Sequence, residues 1–190
     1  AIARTDLREL ARPLLRDLVG PPIEAASIAV LDGAEIVYVE RIQAGFASLG
    51  VDVRIGSRAP AYSTAVGQAM MAHLPRKAQQ SLLGKGPLRR LTSTTITSIP
   101  KLLDRLAAVR KRGYALSDQE NVSGLRVLAS AVLDADGAPI AAVSVATPVF
   151  TTSLDAFEAA MRGPVSRAAQ AWSRAIQAAG GVAATTPMRA

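Results

Sequence analysis

The sequence predicts an α+β fold, one antiparallel sheet with helices packed on it, and three observations carry that expectation. Two pairs of apolar runs are each joined at an Asp-Gly dipeptide, Asp32-Gly33 and Asp136-Gly137, which is a β-hairpin signal. Apolar residues at helical spacing fill both ends of the chain and the stretch between the hairpins. Strands that arrive as hairpins pair antiparallel and bury one face against helices.

The composition is that of a folded domain. Of 190 residues, 49% are hydrophobic and 19% charged, enough for one sizeable core. No internal repeat or second domain is visible. Aromatics make up 4%, which argues against a nucleic-acid platform built on base stacking. The chain has no cysteine and one histidine, His73, so thiolate catalysis, Cys-ligated metal and a His-rich site drop out. No metal or cofactor is expected. No apolar run approaches a membrane span and no signal-peptide pattern opens the chain, so the expected location is the cytoplasm. The net charge is +7, from 22 basic and 15 acidic residues. The basic residues are spread along the chain, which favours an Arg-rich surface over a nucleic-acid footprint; direct nucleic-acid binding is the lesser reading.

The elements follow in order. Residues 4–18 read as a helix: Asp6-Leu-Arg-Glu9 resembles a capping box, and Leu7, Leu10, Leu14 and Leu18 form an apolar stripe. Arg4, Arg8, Arg12 and Arg16 line another face, and Gly20-Pro-Pro22 ends the helix. Residues 25–31 and 35–42 are the first hairpin. A loop with a short strand near Val51–Arg54 comes next, then the central stretch described below. Residues 76–83 form a short helix, closed by Gly84-Lys-Gly-Pro87. Ser98 or Thr97 caps the following helix, with Pro100 in its first turn. Ile99, Leu102, Leu103, Leu106 and Val109 supply its buried face. Arg110-Lys-Arg112 complements the helix dipole, and Gly113 provides a left-handed stop. Tyr114–Ser117 and the polar run Asp118-Gln-Glu-Asn121 lead into the second hairpin, 125–134 and 139–146. The last helix runs from about Ser153 to Ala179, with Leu154, Phe157, Met161, Val165, Trp172 and Ile176 at helical spacing and a kink expected at Gly163-Pro164. Residues 180–190 read as a frayed tail.

The stretch from Gly56 to Leu74 organises the chain. It is a loop, punctuated by Gly56 and Pro60, that runs into a helix capped by Ser63 or Thr64. Small residues crowd it: Ala65, Gly67, Ala69 and Ala72. A Gly inside a helix costs about 1 kcal/mol against Ala, so Gly67 predicts that something packs very close. No acidic residue occurs from Gly56 to Leu74, which leaves the amides and positive dipole end near Ser63–Val66 unanswered. Such an end either binds an anion or is simply a capped core helix.

No catalytic constellation can be assembled. Ser63 lacks a nucleophile elbow, and His73 lies two to three helical turns away, roughly 15 Å along the axis. Asp118 and Glu120 would share a face if extended, but paired carboxylates in such a segment are more often surface charges or caps. The expectation is a protein that is not an enzyme; a small hydrolase-like enzyme is the remotest alternative.

Four blocks carry a family resemblance. They are Leu31-Asp-Gly…Val37-Tyr-Val39…Arg41; Gly56-x-Arg-x-Pro60 with Ser63-Thr-Ala-x-Gly-x-Ala-x-x-Ala72; Gly113-Tyr…Asp118-x-Glu120 with Gly124-Leu-Arg126; and Asp136-Gly137 with Ala141-Ala-Val-Ser144. In this order and spacing they resemble the C-terminal effector-binding domain of IclR-type bacterial transcription regulators, over about residues 6–178. The resemblance implies a GAF-like domain with a metabolite pocket. It implies a linker helix at 1–20, an effector-binding and oligomerisation domain at 21–179, and the tail at 180–190. Full-length members carry an N-terminal winged helix-turn-helix, which this chain is expected to lack, so that operator DNA is reached only through that missing domain. A homodimer or tetramer is implied.

The pocket residues it implies are Ser63, Thr64, Ala65 and Val66, whose backbone amides would hold an effector carboxylate. Ser117 and Asp118 fall at a pocket edge. Leu125 and Val127, with Ser144 and Ala146, fall at alternating strand positions, and Leu49 lies in the loop before. Arg126 would point the other way. Val127 and Ala146 stand where some relatives have Cys or Ser, which suits a more apolar acid. Gln68 replaces a frequent Lys. The details look closest to the subgroup controlling aromatic-acid catabolism, so an aromatic carboxylate is the expected effector. The rival is a ligand-free oligomerisation or scaffold domain.

Overall fold

The computed structural model describes residues 4–44 and 53–179. Among these residues, five helices and six strands follow in chain order: α1 (Arg4–Leu18), β1 (Ala25–Asp32), β2 (Glu35–Gln43), β3 (Arg58–Pro60), α2 (Ala65–Met71), α3 (Arg76–Leu83), α4 (Ile99–Arg112), β4 (Ala115–Asp118), β5 (Leu125–Leu133), β6 (Pro139–Pro148) and α5 (Leu154–Ala178). A single 3-10 turn, Ala61–Ser63, joins β3 to α2. The expected α+β architecture is present. All strands lie in one sheet of order β3-β2-β1-β6-β5-β4, every pair antiparallel. The two hairpins meet at the β1–β6 pairing, in the middle of the sheet.

Helices cover both faces, giving three layers. On one face, Ile28 of β1, Leu128 and Val132 of β5 and Val143 and Val145 of β6 pack under Leu15 of α1 and Phe157, Val165, Trp172 and Ile176 of α5. On the other, α2 and α4 pack over a floor of Ala29, Ala115, Ala129 and Ala142. Four alanines from four strands make that floor shallow, so the short helix α2 approaches the sheet closely.

Local rules placed most boundaries. Ser98 caps α4, accepting from the Lys101 amide, and Gly113 closes it at φ 89°, a conformation that favours glycine. Ser153 caps α5, which runs unbroken through Gly163-Pro164. Two expectations need correction. The buried face of α1 is Ala11, Leu15 and Leu18, while Leu10 is 50% exposed. Ala11 is small enough to let the helix turn that face inward and leave Leu10 on the flank. In the loop after β2, Val53 and Arg54 are not strand; the edge strand is Arg58–Pro60, held by Ile36↔Ala59 and its neighbours on β2. Val51 and Asp52, with Leu49 and residues 180–190, lie outside the described residues.

Candidate effector site

The chain reaches α2 through the 3-10 turn, and Thr64 makes the transition. Its backbone is extended (φ −104°, ψ 144°) and its Oγ1 accepts from the Gly67 amide at 3.1 Å, which is N-cap geometry. A Cβ on Gly67 would lie 2.1 Å from the Ala61 carbonyl oxygen, so the close neighbour that Gly67 predicts is the 3-10 turn folded against the first turn of α2. The cap uses the Gly67 amide. Those of Ala65 and Val66 take no acceptor among the described residues, and the first turn holds no acid.

A cavity of about 270 Å³ opens beside this helix start. Thr64, Ala65 and Val66 form one wall. Ser117 of β4 with Leu125 and Val127 of β5 form another, and Asn121 and Val122 of the intervening loop close over it. Tyr38 of β2, Val53, Ser57, Arg58 and Ala59 complete the lining. Most of these groups are apolar, with a few convergent polar atoms, as in small-molecule sites.

The loop after β4 is tied to α2 and α4 by a buried polar network. Gln119 has φ 63°, which ends the strand and separates the two carboxylates expected to share a face. Asp118 turns to Arg126, whose Nε donates to its Oδ1 at 2.9 Å. Glu120 turns inward: its Oε2 accepts from Gln68 Nε2 at 2.8 Å and its Oε1 from Arg105 Nη1 at 2.7 Å. Thr95 Oγ1 donates to the Glu120 carbonyl at 2.7 Å and Thr92 Oγ1 to that of Gln119 at 2.7 Å. Gln68 also donates to the Tyr62 carbonyl at 2.9 Å. Gln68 stands where the resemblance expects Lys, and Arg105 supplies the cation for Glu120.

Of the expected site residues, the structure brings Thr64, Ala65, Val66, Ser117, Leu125 and Val127 to the cavity. Ser63, Asp118, Ser144 and Ala146 are not among its lining residues. Ser63 lies behind the wall, its Oγ donating to Asn121 Oδ1 at 2.8 Å. Asp118 is engaged with Arg126, which also donates to the carbonyls of Val149 and Thr152, in keeping with a structural role for that arginine. Ala146 pairs with Val127 but packs with Ala25 beneath Leu125 and Val127. Ser144 is buried between β1 and β5, its Oγ donating to the Ser27 carbonyl at 3.5 Å. Leu49 lies outside the described residues. Sequence reasoning missed Tyr38, Val53, Ser57, Arg58, Ala59, Asn121 and Val122. Tyr38 and Arg58 fall inside the motif blocks, Ser57 and Ala59 inside the central stretch, and Asn121 closes the polar run 118–121; no local pattern marks Val53 or Val122.

Electrostatics at the rim are mostly settled within the chain. Arg58 is paired with Asp32 at 2.7 Å and Glu35 at 2.8 Å. Burial pushes the Tyr38 phenol above its ordinary range, partly offset by the positive charge of Arg41. Among the described residues no group of three His, Asp or Glu is placed to hold a metal ion, and no helix is long and apolar enough to cross a membrane.

This architecture is shared with characterised proteins. Residues 1–174 match the family model described as bacterial transcriptional regulator IclR C-terminal. The HTH-type transcriptional regulator XynR of Escherichia coli is 33% identical over 176 residues, 92% of this chain and 69% of XynR. The C-terminal domain of E. coli KdgR superposes with a TM-score of 0.78 at 31% identity, covering 90% of this chain and 99% of that domain. The inducer-binding domain of PobR from Acinetobacter, solved as a double mutant with 3-hydroxybenzoic acid, superposes with a TM-score of 0.77 at 28% identity, covering 91% of this chain and 98% of that one. Several curated relatives are matched over only 50–59% of their length. These relatives are transcription regulators, not enzymes. The chain belongs to the IclR family of bacterial transcription regulators and corresponds to their C-terminal domain.

Proposed function

We propose that the chain senses a small carboxylic acid, aromatic in kind, in the cavity beside α2. The observation that carries this reading is the cavity itself. Apolar walls from Val66, Val122, Leu125 and Val127 face the Ala65 and Val66 backbone and the side chains of Ser117 and Asn121. An aromatic ring suits the walls, and its carboxylate suits unpaired amides at a helix start. The 3-hydroxybenzoic acid bound to the PobR domain supports the aromatic class.

Signalling follows from what the effector touches. Asn121 lines the cavity and is held by Ser63, and Glu120 beside it is held by Gln68 and Arg105. An acid seated at α2 therefore changes the contacts of the 119–124 loop. Those differential contacts shift the populations of conformers or oligomers. α1, buried against α5 through Ala11 and Leu15, is the linker that conveys the shift to an N-terminal DNA-binding domain of the full-length regulator. The domain works as a homodimer or tetramer.

A thermal-shift screen tests the reading, using benzoate, hydroxybenzoates, dihydroxybenzoates, short keto acids and aliphatic acids. A ligand at 100 times its Kd adds about 2.7 kcal/mol, or about 5–10 °C for a chain of this length. The expected result is a shift with aromatic acids that is lost in Val127→Arg, which fills the cavity. No shift with any acid, from folded protein, would favour a ligand-free oligomerisation domain.

A further inference from the structure

Arg41 has a position that the regular alternation of a strand would not give it. In an unbroken β2, Tyr38 and Arg41, three residues apart, would face opposite sides of the sheet. The β1–β2 register shifts, however: Ile28 pairs with Glu40 but Ala29 pairs with Tyr38, so Val39 is an extra residue. That bulge reverses the parity. Tyr38 and Arg41 therefore share the face on which the cavity lies, while Val39 and Glu40 turn to the α1 side, where Glu40 pairs with Arg12 at 3.6 Å. Arg41 is not itself among the lining residues; its partner Ser27 and Tyr38's partner Ala29 are two residues apart on β1, so Arg41 lies about 7 Å along the strand from the cavity-lining Tyr38, at ~3.4 Å per residue.

Among the described residues, the charge of Arg41 meets no carboxylate. Arg58, Arg105 and Arg126 each hold a carboxylate within 2.9 Å. Arg41 has Ser27 Oγ, accepting from Nη1 at 3.0 Å, and its Nε is buried with no acceptor. Burial draws its pKa below the ordinary guanidinium range. The guanidinium is half-buried, and its one buried, unaccepted N–H is costly until an acceptor completes it.

Resting on the effector site proposed above, we infer that Arg41, positioned by Ser27, is a second anion contact on the cavity's sheet face, and that the effector is a diacid. One carboxylate goes to the α2 start and the second to Arg41. The three charged neighbours at the rim, Arg58, Asp32 and Glu35, satisfy one another and do not compete for either group.

Calorimetric titration with matched pairs, benzoate against terephthalate and butyrate against glutarate, tests this. The expected result is a diacid preference of about tenfold or more in at least one pair, the scale of one charge-assisted hydrogen bond. Arg41→Gln removes that preference and leaves monoacid affinity within about twofold, because the α2 contact is intact; Arg41→Lys keeps part of it. Thermal melts without ligand establish that each variant is folded, and Ser27→Ala, which frees the guanidinium from its positioning partner, provides a milder second variant that weakens the preference. Monoacids binding as well as diacids to the wild type would overturn this inference while leaving the effector site standing. No binding by any acid would overturn both. Asp52→Asn removes a carboxylate outside the described residues and leaves the preference in place; a preference that exists only in that variant would assign Arg41 to Asp52 and overturn the inference.

Discussion

Single residues set the geometry of the site. Gly67 is required because the 3-10 turn leaves no room: the atom that a Cβ would meet is the backbone oxygen of Ala61. Backbone cannot move aside as a flexible side chain can. Gly67→Ala gains about 1 kcal/mol of helix propensity but loses about 1–3 kcal/mol or more to overpacking. The net expectation is destabilisation, read as a lower urea midpoint, together with weaker acid binding because the Ala65 and Val66 amides shift. A midpoint equal to or above wild type would show that the turn relaxes freely. Glu120 illustrates the same scale differently. It is buried, and only the paired donors Gln68 and Arg105 make that burial tolerable. Its neighbour Asn121 is thereby fixed over the cavity.

Elements determine what those residues can reach. The seven residues of α2 are too few to be stable alone; the helix persists because Ala65, Val66, Ala69, Met70 and Met71 are buried against the alanine floor and α4. Just beyond its end, His73 carries a pH consequence. Burial, and then the charge of Arg110, hold its pKa below the usual 6.5. The unfolded chain therefore binds this proton more readily than the folded one, so stability from this group is present above about pH 6.5 and falls as pH drops below it. The expected outcome is that His73→Gln narrows the loss of melting temperature between pH 7 and pH 5. An identical pH profile for the variant would remove His73 as a contributor. The network at Glu120 links elements as well: it fastens the loop between β4 and β5 to both α2 and α4, so an effector that touches the loop acts on both helices.

At the scale of the whole molecule, the sheet divides the work. Its α1–α5 face is a conventional apolar core built from Leu, Ile, Val, Phe and Trp. The α2–α4 face is floored by alanine and serine, and its residual space is the cavity. The net charge of +7 is spread over the surface and partly paired. If DNA recognition belongs to a separate N-terminal domain, this chain should show only sequence-independent DNA binding that fades as salt rises from 50 to 200 mM. Fluorescence anisotropy with operator and scrambled duplexes checks this. Salt-resistant, operator-selective binding by the isolated chain would reassign its basic surface to direct readout.

By itself the sequence determined what local chemistry controls. The Asp-Gly turns located both hairpins, and Ser98 or Thr97, Ser63 or Thr64, Ser153 and Gly113 marked helix ends, the structure choosing Ser98 and Thr64, because caps and turns depend on residues near in the chain. The order of motifs identified the family. The hydroxyl-capped, acid-free start of α2 was legible because both features depend on residues adjacent in the chain. Tertiary structure alone decided what depends on register and long-range contact. It turned Asp118 away and Glu120 inward through the left-handed Gln119, and replaced Leu10 by Ala11 and Leu15 on the buried face of α1. It also placed Arg41 on the cavity's face through one extra residue at Val39. For Arg41 and for the 118–120 carboxylates the physical reason is shared: a strand's side-chain period is two, so a single bulge or left-handed residue inverts the facing that follows, and nothing local in the sequence announces it; for α1 the contact with α5 and the sheet selects which stripe of the helix is buried.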